Sequence, residues 1–589
     1  VDVALESDSE LDEAVVVGMG TQKKISVIGA VASVQGEAIK SSSSNLTSNL
    51  AGKLAGIVSV TNSGEPGSSS EFYIRGVSTF GGRTTPLILL DDVEISVGDL
   101  NRLPAESIKN VTLLKDASAT AIYGVRGANG VMLITTKNGA ENMRTQVTAT
   151  VETSFKQPVK MVNFVDGGRW MELYNEASLT RGAAVPTYSA QDIEYTRSGL
   201  YPYVYPNVDW KEVLFRKFNL NQRGNVSIQG GGNKATYYMS LNFNHDTGMA
   251  NAPKDYMFNN NLHQYIYNFQ NNITYKLTNT TKLDLRLNVQ IVQKQGMQEG
   301  ESQLFGYLLR ANPVMFPATF PAQEGDEYIR FGTAMKTAVD RRLNPYAAML
   351  DDYSVKKENK MNAVLKIEQD FSFITKGLSA SAMVNWNSYA TSTYKQTINP
   401  YYFEVDKSTW SPEDPDNYTL EQVGDAGDTY VSEAYDEPST DQVFYFDARL
   451  NYSRKFGRHN VGALLMYMMR DYRPNKSLSE RNQGLSGRAT YDFDERYFFE
   501  FNFGYNGTER LQKGRRFEFF PAVSVGWALS NEKFWEPISN AVNYFKLRGS
   551  YGLVGSDDFN YYEHFVYFDQ ITINGGGTAY FGPSKNNPY

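Results

Sequence analysis

The segment Thr281-Lys282-Leu283-Asp284-Leu285-Arg286-Leu287-Asn288-Val289-Gln290-Ile291 alternates polar and apolar side chains without interruption from Lys282 to Ile291. Because successive side chains of a β-strand point to opposite faces, one face of this segment is apolar and the other is polar. The same alternation recurs in the stretches 237–244, 444–452, 497–506 and 523–529. The pattern predicts a mainly β protein whose strands are long and two-faced.

Strands of this kind repeat from about residue 145 onward. We expect them near residues 146–157, 222–230, 233–245, 264–277, 281–293, 359–374, 378–393, 440–455, 459–471, 484–493, 496–508, 517–530 and 541–552. One further partner strand is expected inside the long connections, which gives about 14 strands in this chain, since bacterial barrels have an even number. Strands of about 10 residues, with aromatic residues near their ends, fit tilted membrane spans.

The connections between these strands alternate in length. Short ones lie at residues 230–233, 278–281, 376–377 and 457–459, and long ones cover 158–221, 294–358 and 394–439. A soluble sandwich also has alternating strands, but it has no reason to sort its loops in this way. Tight turns on one side and long loops on the other are typical of an outer-membrane β-barrel. The fold class predicted is therefore a transmembrane antiparallel β-barrel.

Composition excludes several classes of protein. The net charge of −8 argues against nucleic-acid binding, and the absence of cysteine excludes disulfides, zinc ribbons and thiol nucleophiles. The four histidines are scattered, and no catalytic motif is present, so we predict no enzyme activity, no cofactor and no metal. No apolar run is long enough for a membrane-spanning helix, and the acidic opening residues 1–6 do not predict a signal peptide.

The first 140 residues differ from the rest of the chain. They are rich in Gly, Ser, Ala and Val, and we place a domain boundary at the turn-forming stretch 137–140. Short β patterns and a helix predicted over Thr47–Leu54 indicate a mixed α/β domain. We divide the chain into an N-terminal extension (1–20), a domain that fills the barrel lumen (21–140) and the barrel itself (141–589). The Gly/Asn/Pro-rich end after the last strand suggests that closing strands are missing from this chain or come from a second chain.

Several motifs carry a family resemblance. Ile74-Arg75-Gly76, Pro86–Asp92 and the run from Ile108 to Val131 resemble the plug of TonB-dependent outer-membrane transporters. Together with the lead-in Leu11–Gln22, this long version resembles the SusC branch found in Bacteroidetes. The barrel segments Phe520–Trp527 and Lys546–Gly552 agree with it. The resemblance implies a 22-stranded barrel with a plugged lumen, so roughly a third of the wall would lie outside this chain.

The resemblance also implies a function and partners. It implies TonB-dependent active import of nutrient oligosaccharides across the bacterial outer membrane. A SusD-like surface lipoprotein would cap the barrel, and the TonB complex would supply force. Peptides and siderophore-type ligands are the alternative cargoes, and a passive structural barrel or adhesin is the alternative of another class. The implied surroundings are outer-membrane lipid, with no nucleic acid.

The segment before the plug resembles a TonB box, the element that couples such receptors to TonB. Its residues are Leu11, Asp12, Glu13, Ala14, Val15, Val16, Val17 and Gly18. An exposed Val-rich run near a terminus can add as a strand to the sheet edge of another protein. The alternative is the last strand of a preceding domain. Relatives often carry Val at position 14 and Tyr at position 19, where this chain has Ala14 and Met19.

The plug motif consists of Ile74, Arg75, Gly76, Arg126 and Gly127. We expect its arginines to pair with lumen carboxylates such as Glu500 or Glu368, or else to be solvated. The acidic group Asp91, Asp92 and Glu94 is interpreted as a turn between plug strands, with a calcium site as the alternative.

Candidate substrate contacts lie in two loops. Phe80, Gly81 and Arg83 belong to a glycine-flanked plug loop, and Tyr402 and Trp410 belong to the long loop 394–439. Aromatic faces stack on the C–H surfaces of sugars, whereas arginine binds hydroxyl groups. Alternatively, these aromatic residues pack loops together or dock a partner.

Overall fold

The computed structural model describes residues 14–23, 25–41, 45–61, 63–76, 84–253, 258–334 and 344–557. Within these ranges the chain forms 26 strands and eight α-helices. Strand is the dominant element, as the alternating sequence pattern predicts. None of the helices in the described ranges is long and apolar enough to cross a membrane.

The N-terminal part is built from short elements. Its strands are β1 (Ala14–Val17), β2 (Gly20–Lys23), β3 (Val31–Gln35), β4 (Ile57–Val60), β5 (Glu71–Ile74), β6 (Leu87–Leu90), β7 (Val93–Glu94), β8 (Ile108–Leu114) and β9 (Val131–Thr136). Its helices are α1 (Leu46–Asn49), α2 (Val97–Asn101) and α3 (Ala117–Thr120), with 3₁₀ turns at Gly36–Ile39, Ala105–Ser107 and Ala121–Arg126.

These elements form a small mixed domain. Five strands make one sheet in the order β3-β8-β9-β6-β7, in which β6 and β9 are parallel. The pairs β1–β2 and β4–β5 are separate two-stranded sheets. One side of the five-stranded sheet packs on an apolar core that includes Leu50, Ile88, Leu100 and Leu113, each at most 1% exposed.

The predicted helix Thr47–Leu54 is wrong beyond its first turn. The helix α1 runs from Leu46 to Asn49, and Asn45 is its N-cap. Gly52 then takes a left-handed backbone with φ of 74°. This conformation, which glycine adopts readily, ends the helix early.

The rest of the chain forms a second, much larger sheet. Its strands are β10 (Gln146–Lys156), β11 (Asn219–Gly231), β12 (Ala235–Thr247), β13 (His263–Lys276), β14 (Thr281–Gly296), β16 (Asp352–Asp370), β17 (Leu378–Thr397), β20 (Ser432–Tyr435), β21 (Ser439–Phe456), β22 (His459–Arg473), β23 (Glu480–Phe493), β24 (Tyr497–Thr508), β25 (Phe517–Ala528) and β26 (Lys546–Gly552).

This sheet has 14 strands, and every neighbouring pair is antiparallel. The order follows the chain from β10 to β26, except that the short β20 pairs beside β17. The fourteenth strand thus lies in a long connection, as predicted. The hairpin β16–β17 is longer than predicted because its hydrogen-bonded ladder continues to the pair Asp352 and Thr397.

The large sheet, called the wall below, has its apolar face outward. In β14, Leu285 and Ile291 are 44% and 45% exposed, whereas Gln290 on the other face is 6% exposed. Inward-facing asparagines are almost fully buried against the plug or their neighbours; examples are Asn242, Asn268, Asn385 and Asn502. Because a soluble sandwich would bury the apolar face, this arrangement confirms a barrel wall of the membrane type.

The connections lie on two sides of the wall. The long ones contain α4 (Gly167–Thr180), α5 (Ala190–Ser198), α6 (Trp210–Leu214), α7 (Glu301–Arg310), β15 (Arg330–Gly332), α8 (Pro345–Leu350), β18 (Tyr401–Asp406) and β19 (Thr419–Gln422). These connections share an apolar cluster that includes Leu214, Leu304, Phe331, Met349 and Tyr402. We call this end of the wall the loop side and the opposite end, with its tight hairpins, the turn side.

Placing a charge on the outward face tests this orientation. We expect Leu285→Arg to cost up to about 2–4 kcal/mol of barrel stability, because an arginine would face hydrocarbon. Asn288→Arg, three positions along the same strand but on the inward face, is the matched control and should assemble nearly normally. Heat-modifiable gel mobility of outer-membrane fractions measures the folded amount. An equal loss in both variants would contradict the assigned faces.

Candidate functional site

A cavity of about 630 Å³ lies between the plug and the loop-side half of the wall. The plug contributes residues of β6, β7 and α2, and the wall contributes β16, β17, β21 and β22. Its ionisable and aromatic lining comprises Asp92, Glu94, Asp99, Arg102, Tyr123, Arg126, Glu358, Lys360, Tyr389, Asp441, Tyr445, Arg470 and Tyr472. The cavity therefore offers tyrosine rings and charges of both signs.

The turn between β6 and β7 anchors the plug at the floor of this cavity. Asp91 and Asp92 both have left-handed backbones, with φ of 48° and 71°. The Asp91 carboxylate accepts hydrogen bonds from the amide and hydroxyl of Thr136, at 3.0 and 2.6 Å. It also lies 2.7 Å from Arg286 Nη1, and Asp92 accepts from Arg449 Nη1 at 2.9 Å. These contacts support the turn interpretation over a calcium site.

Helix α2 carries the next anchor. Ser96 and Asp99 form a capping box, in which the Asp99 amide donates to Ser96 Oγ at 3.1 Å. The Asp99 carboxylate also accepts a hydrogen bond from Lys360 of the wall. Burial alone would raise the pKa of Asp99, but the Lys360 charge and the bonds from Lys360 and Ser96 outweigh it and lower that pKa. One turn later, Arg102 pairs with Glu358 of β16.

From the sequence we expected Arg126 to pair with Glu500 or Glu368. The structure gives it a different partner. Arg126 forms an ion pair with Glu94 within the plug, beside Arg470 of the wall, whose Nε lies 3.6 Å from the same carboxylate. Glu500 and Glu368 pair with cations of the wall instead. Glu500 lies 3.8 Å from Arg488, and Glu368 lies 2.5 Å from Lys366. The reason is distance: Arg126 and Glu94 both face the cavity, whereas the other two carboxylates do not line it.

The remaining plug-motif residues shape the backbone. Ile74 is buried in the plug core, and Arg75 and Gly76 follow it with left-handed φ of 59° and 92°. Arg75 is exposed, and its amide donates to the Gly56 carbonyl at 2.8 Å. A side chain at Gly127 would meet the Thr120 carbonyl oxygen at 2.6 Å, so this close approach requires glycine.

The TonB-coupling segment is partly visible. Leu11, Asp12 and Glu13 lie outside the described residues. Ala14–Val17 forms β1, which pairs with β2 in a hairpin, and Val17 and Gly18 are buried. The segment was expected to be exposed; instead, its end packs against the plug. Its coupling role stays a prediction.

The candidate substrate residues of the loops are mostly in packed surroundings. Phe80, Gly81 and Arg83 lie outside the described residues. Tyr402 is 4% exposed in the apolar cluster of the long connections. The Trp410 ring packs against Tyr195, Tyr201 and Tyr205, with ring centroids 4.9–5.7 Å away. These contacts fit the loop-packing alternative, and substrate contact by Tyr402 and Trp410 stays a prediction.

The sequence alone does not identify the wall residues that line the cavity. Tyr389, Tyr445 and Arg470 sit on predicted strands, and Tyr472 lies one residue beyond the strand predicted over 459–471. Alternation alone does not say which strands face the plug. One signal was available, because Arg470 interrupts the apolar run Val461–Met469. A charge at that point indicates an inward-facing position on a membrane strand.

Comparison with known proteins gives a consistent result. The model of the TonB-dependent receptor plug domain family matches residues 23–131. TonB-dependent receptor P26 of Formosa agariphila is 26% identical over 95% of this chain, and TonB-dependent receptor SusC of Bacteroides thetaiotaomicron is 24% identical over 99%. The alignments cover 55% and 58% of those proteins, so the chain spans little more than half their length.

Solved structures share the fold. The RagAB peptide importer in an "open-open" state superimposes with a TM-score of 0.73 at 18% identity, over 98% of this chain and 65% of that chain. Its "closed-closed" state gives a TM-score of 0.66 over 95% of this chain and 64% of that chain.

The anchor at Asp99 predicts a pH dependence of plug docking. The lowered pKa means that its stabilising contribution is present above the ordinary pKa of 3.8 and is lost as pH falls through the lowered value. Thermal unfolding followed across acidic pH should therefore show a loss that Asp99→Asn abolishes. Asp166→Asn, which alters the cap of α4 on the loop side, is the control. An unchanged acid transition in Asp99→Asn would contradict the assignment.

Proposed function

We propose that this chain, a SusC-like TonB-dependent receptor of the Bacteroidetes type located in the bacterial outer membrane, imports nutrient oligosaccharides. A SusD-like surface lipoprotein would deliver the substrate from the loop side. The TonB complex would bind the segment Leu11–Gly18 on the turn side and pull on it. In this proposal the protein is a transporter and carries out no chemical reaction on its cargo.

The cavity between plug and wall carries this proposal. It lies between the plug and the loop-side half of the wall, the side from which substrate would enter in this proposal. Tyrosine rings offer faces for sugar C–H groups, and the neighbouring arginine and carboxylate groups offer hydrogen bonds to hydroxyls. A volume of about 630 Å³ is of the size of small-molecule sites and holds a few sugar units at a time.

The loop side supports the proposed lid. Three long connections share one apolar cluster, so α6, α7, α8 and β18 form a single packed layer. A packed layer of this kind offers a fixed surface on which a lipoprotein can sit. Fixed interfaces of this sort typically need good complementarity over a wide area.

A peptide is the second candidate cargo, because the cavity lining contains both cations and carboxylates. Arg470 and Lys360 line the same space as Glu94 and Asp441. Such a lining matches a molecule with charged groups of both signs, whereas a neutral sugar needs only the hydrogen bonds. The fold similarity to the RagAB peptide importer agrees with this candidate.

Removing the coupling segment tests active import. Deletion of residues 11–20 in the full-length receptor should abolish substrate uptake by cells, because no segment would remain for TonB to hold. Surface assembly, measured by antibody labelling and gel mobility, should stay normal. Full uptake by the deletion variant would remove the active-transport proposal and favour a passive barrel.

Growth on defined nutrients separates the two cargoes. A strain lacking the receptor should lose growth on one or more oligosaccharides as sole carbon source and keep growth on peptides. The reverse pattern would favour the peptide candidate. Complementation with the intact gene is the control for effects on neighbouring genes.

A single tyrosine tests the cavity. Tyr389→Ala removes one ring from the cavity lining and should weaken substrate binding by about 0.5–1.5 kcal/mol, if its contact is worth as much as a pair of aromatic side chains. Tyr467→Ala, on the outward face of β22 where the ring is 40% exposed, is the matched control. Calorimetric titration of the purified receptor with the transported oligosaccharide or peptide gives the affinity. Equal affinities for the two variants would place the substrate elsewhere.

A further inference from the structure

Arg470 differs from the other cations of the cavity between plug and wall. The cations in the described lining are Arg102, Arg126, Lys360 and Arg470. The first three each donate a hydrogen bond to a carboxylate. The guanidinium of Arg470, in contrast, makes no hydrogen bond to any group in the ranges that the structure describes.

The burial of Arg470 makes this absence costly. Its side chain is only 15% exposed, and its Nε is buried without a hydrogen-bond partner. Among the described residues its one ion-pair contact is with Glu94, whose Oε2 lies 3.6 Å from Nε, too far for a hydrogen bond. Arg126 already donates to that carboxylate directly. A buried charge without hydrogen bonds is strongly unfavourable, so the stability of the fold does not explain this group.

The strand holds the guanidinium at the surface of the cavity. Arg470 lies on the inward face of β22, in register with Tyr445 of β21, which also lines the cavity. Its guanidinium carbon lies 5.2 Å from the ring centroid of Tyr472, two residues along the same face. A cation is attracted to the face of an aromatic ring, so Tyr472 orients the guanidinium without occupying its N–H groups. These groups thus remain available to a molecule in the cavity.

The planar fork of Arg470 fits a carboxylate. Its N–H groups match the two oxygens of such a group in a bidentate pair. A hydroxyl group would leave the positive charge without a counter-charge. A phosphate ester also fits the fork, but it carries nearly two negative charges at pH 7. The carboxylates of Glu94 and Asp441 line the same cavity and would repel the second charge. A single negative charge is therefore the better match.

We propose that Arg470 binds a carboxylate group of the cargo, so that the receptor selects oligosaccharides containing uronic acid over neutral ones. The bound carboxylate would supply the hydrogen bonds that the guanidinium lacks. The neighbouring rings of Tyr445 and Tyr472 would offer faces to the sugar that carries it. The proposal rests on the proposed import function and names the substrate class within it.

Ligand pairs that differ only in charge test this site. The purified full-length receptor is titrated calorimetrically with trimers of galacturonic, glucuronic and mannuronic acid and with their methyl esters. At least one acid should bind, and its ester should bind about 10- to 100-fold more weakly, as expected for loss of hydrogen bonds to a charged group. In Arg470→Gln the acid should fall to the affinity of the ester. Arg473→Gln, three positions along β22 and 61% exposed, is the matched control and should keep the preference.

Three results of the titration would overturn the proposal: equal affinity for acid and ester, no binding of any of the acids, or a preference that survives in Arg470→Gln. A tripeptide and its C-terminal amide are titrated in parallel. If only the tripeptide shows a preference that depends on Arg470, the site takes peptides and the assignment to acidic sugars is wrong.

Uptake by cells separates this inference from the import function. If cells with the intact receptor take up no cargo at all, the import function itself has failed. If they take up a neutral oligosaccharide at the same rate with the intact receptor and with Arg470→Gln, the import function stands and the carboxylate site alone is wrong.

Stability without cargo distinguishes a binding role from a structural one. Arg470→Gln removes a buried charge that has no hydrogen bond, so the receptor without cargo should unfold at no lower a temperature than the unaltered receptor. Arg102→Gln breaks an ion pair between plug and wall and should unfold at a lower temperature. If Arg470→Gln is destabilised as much as Arg102→Gln, Arg470 is a structural anchor, and the proposal is overturned.

Discussion

Hydrocarbon around the wall dictates most of this structure. A strand in that environment must pair all its backbone groups with neighbouring strands and must turn its apolar side chains outward. The polar side chains are then forced inward by the two-residue period of the strand. In β14, Leu285 and Ile291 face out and Arg286 and Gln290 face in. The polar lumen that results is what the plug docks against and what surrounds the cavities.

The plug is therefore held by polar contacts in addition to small apolar clusters that it shares with the wall. Four ion pairs connect the plug to three strands of the wall, β14, β16 and β21: Asp91 with Arg286, Asp92 with Arg449, Asp99 with Lys360 and Arg102 with Glu358. Ion pairs removed from water contribute little net stability, because desolvation offsets most of their attraction, but a mispaired charge is strongly unfavourable. We infer that these contacts fix the position of the plug more than they fix its affinity for the wall.

The sequence predicted the wall far better than the site. The local sequence pattern shows where the strands are, which face is apolar and which connections are long. It does so because side chains alternate between the two faces of a strand every two residues. The partners of inward-facing groups do not follow, because Asp92 and Arg449 are brought together by the register of many strands. The same limit explains Arg126, whose true partner Glu94 depends on the β6–β7 turn. Helix α1 ended early because one glycine outweighed the apolar pattern that follows it.

The N-terminal hairpin and the plug sheet differ in local stability. A two-stranded hairpin is marginal by itself, whereas a five-stranded sheet with a buried core is cooperative. The hairpin β1–β2 pairs only four residues on each strand, and its residue Met19 has a left-handed backbone. The next elements, β6 and β7, are held by Arg286 and Arg449 as well as by the sheet. The plug thus combines a weakly paired N-terminal hairpin with a firmly anchored sheet.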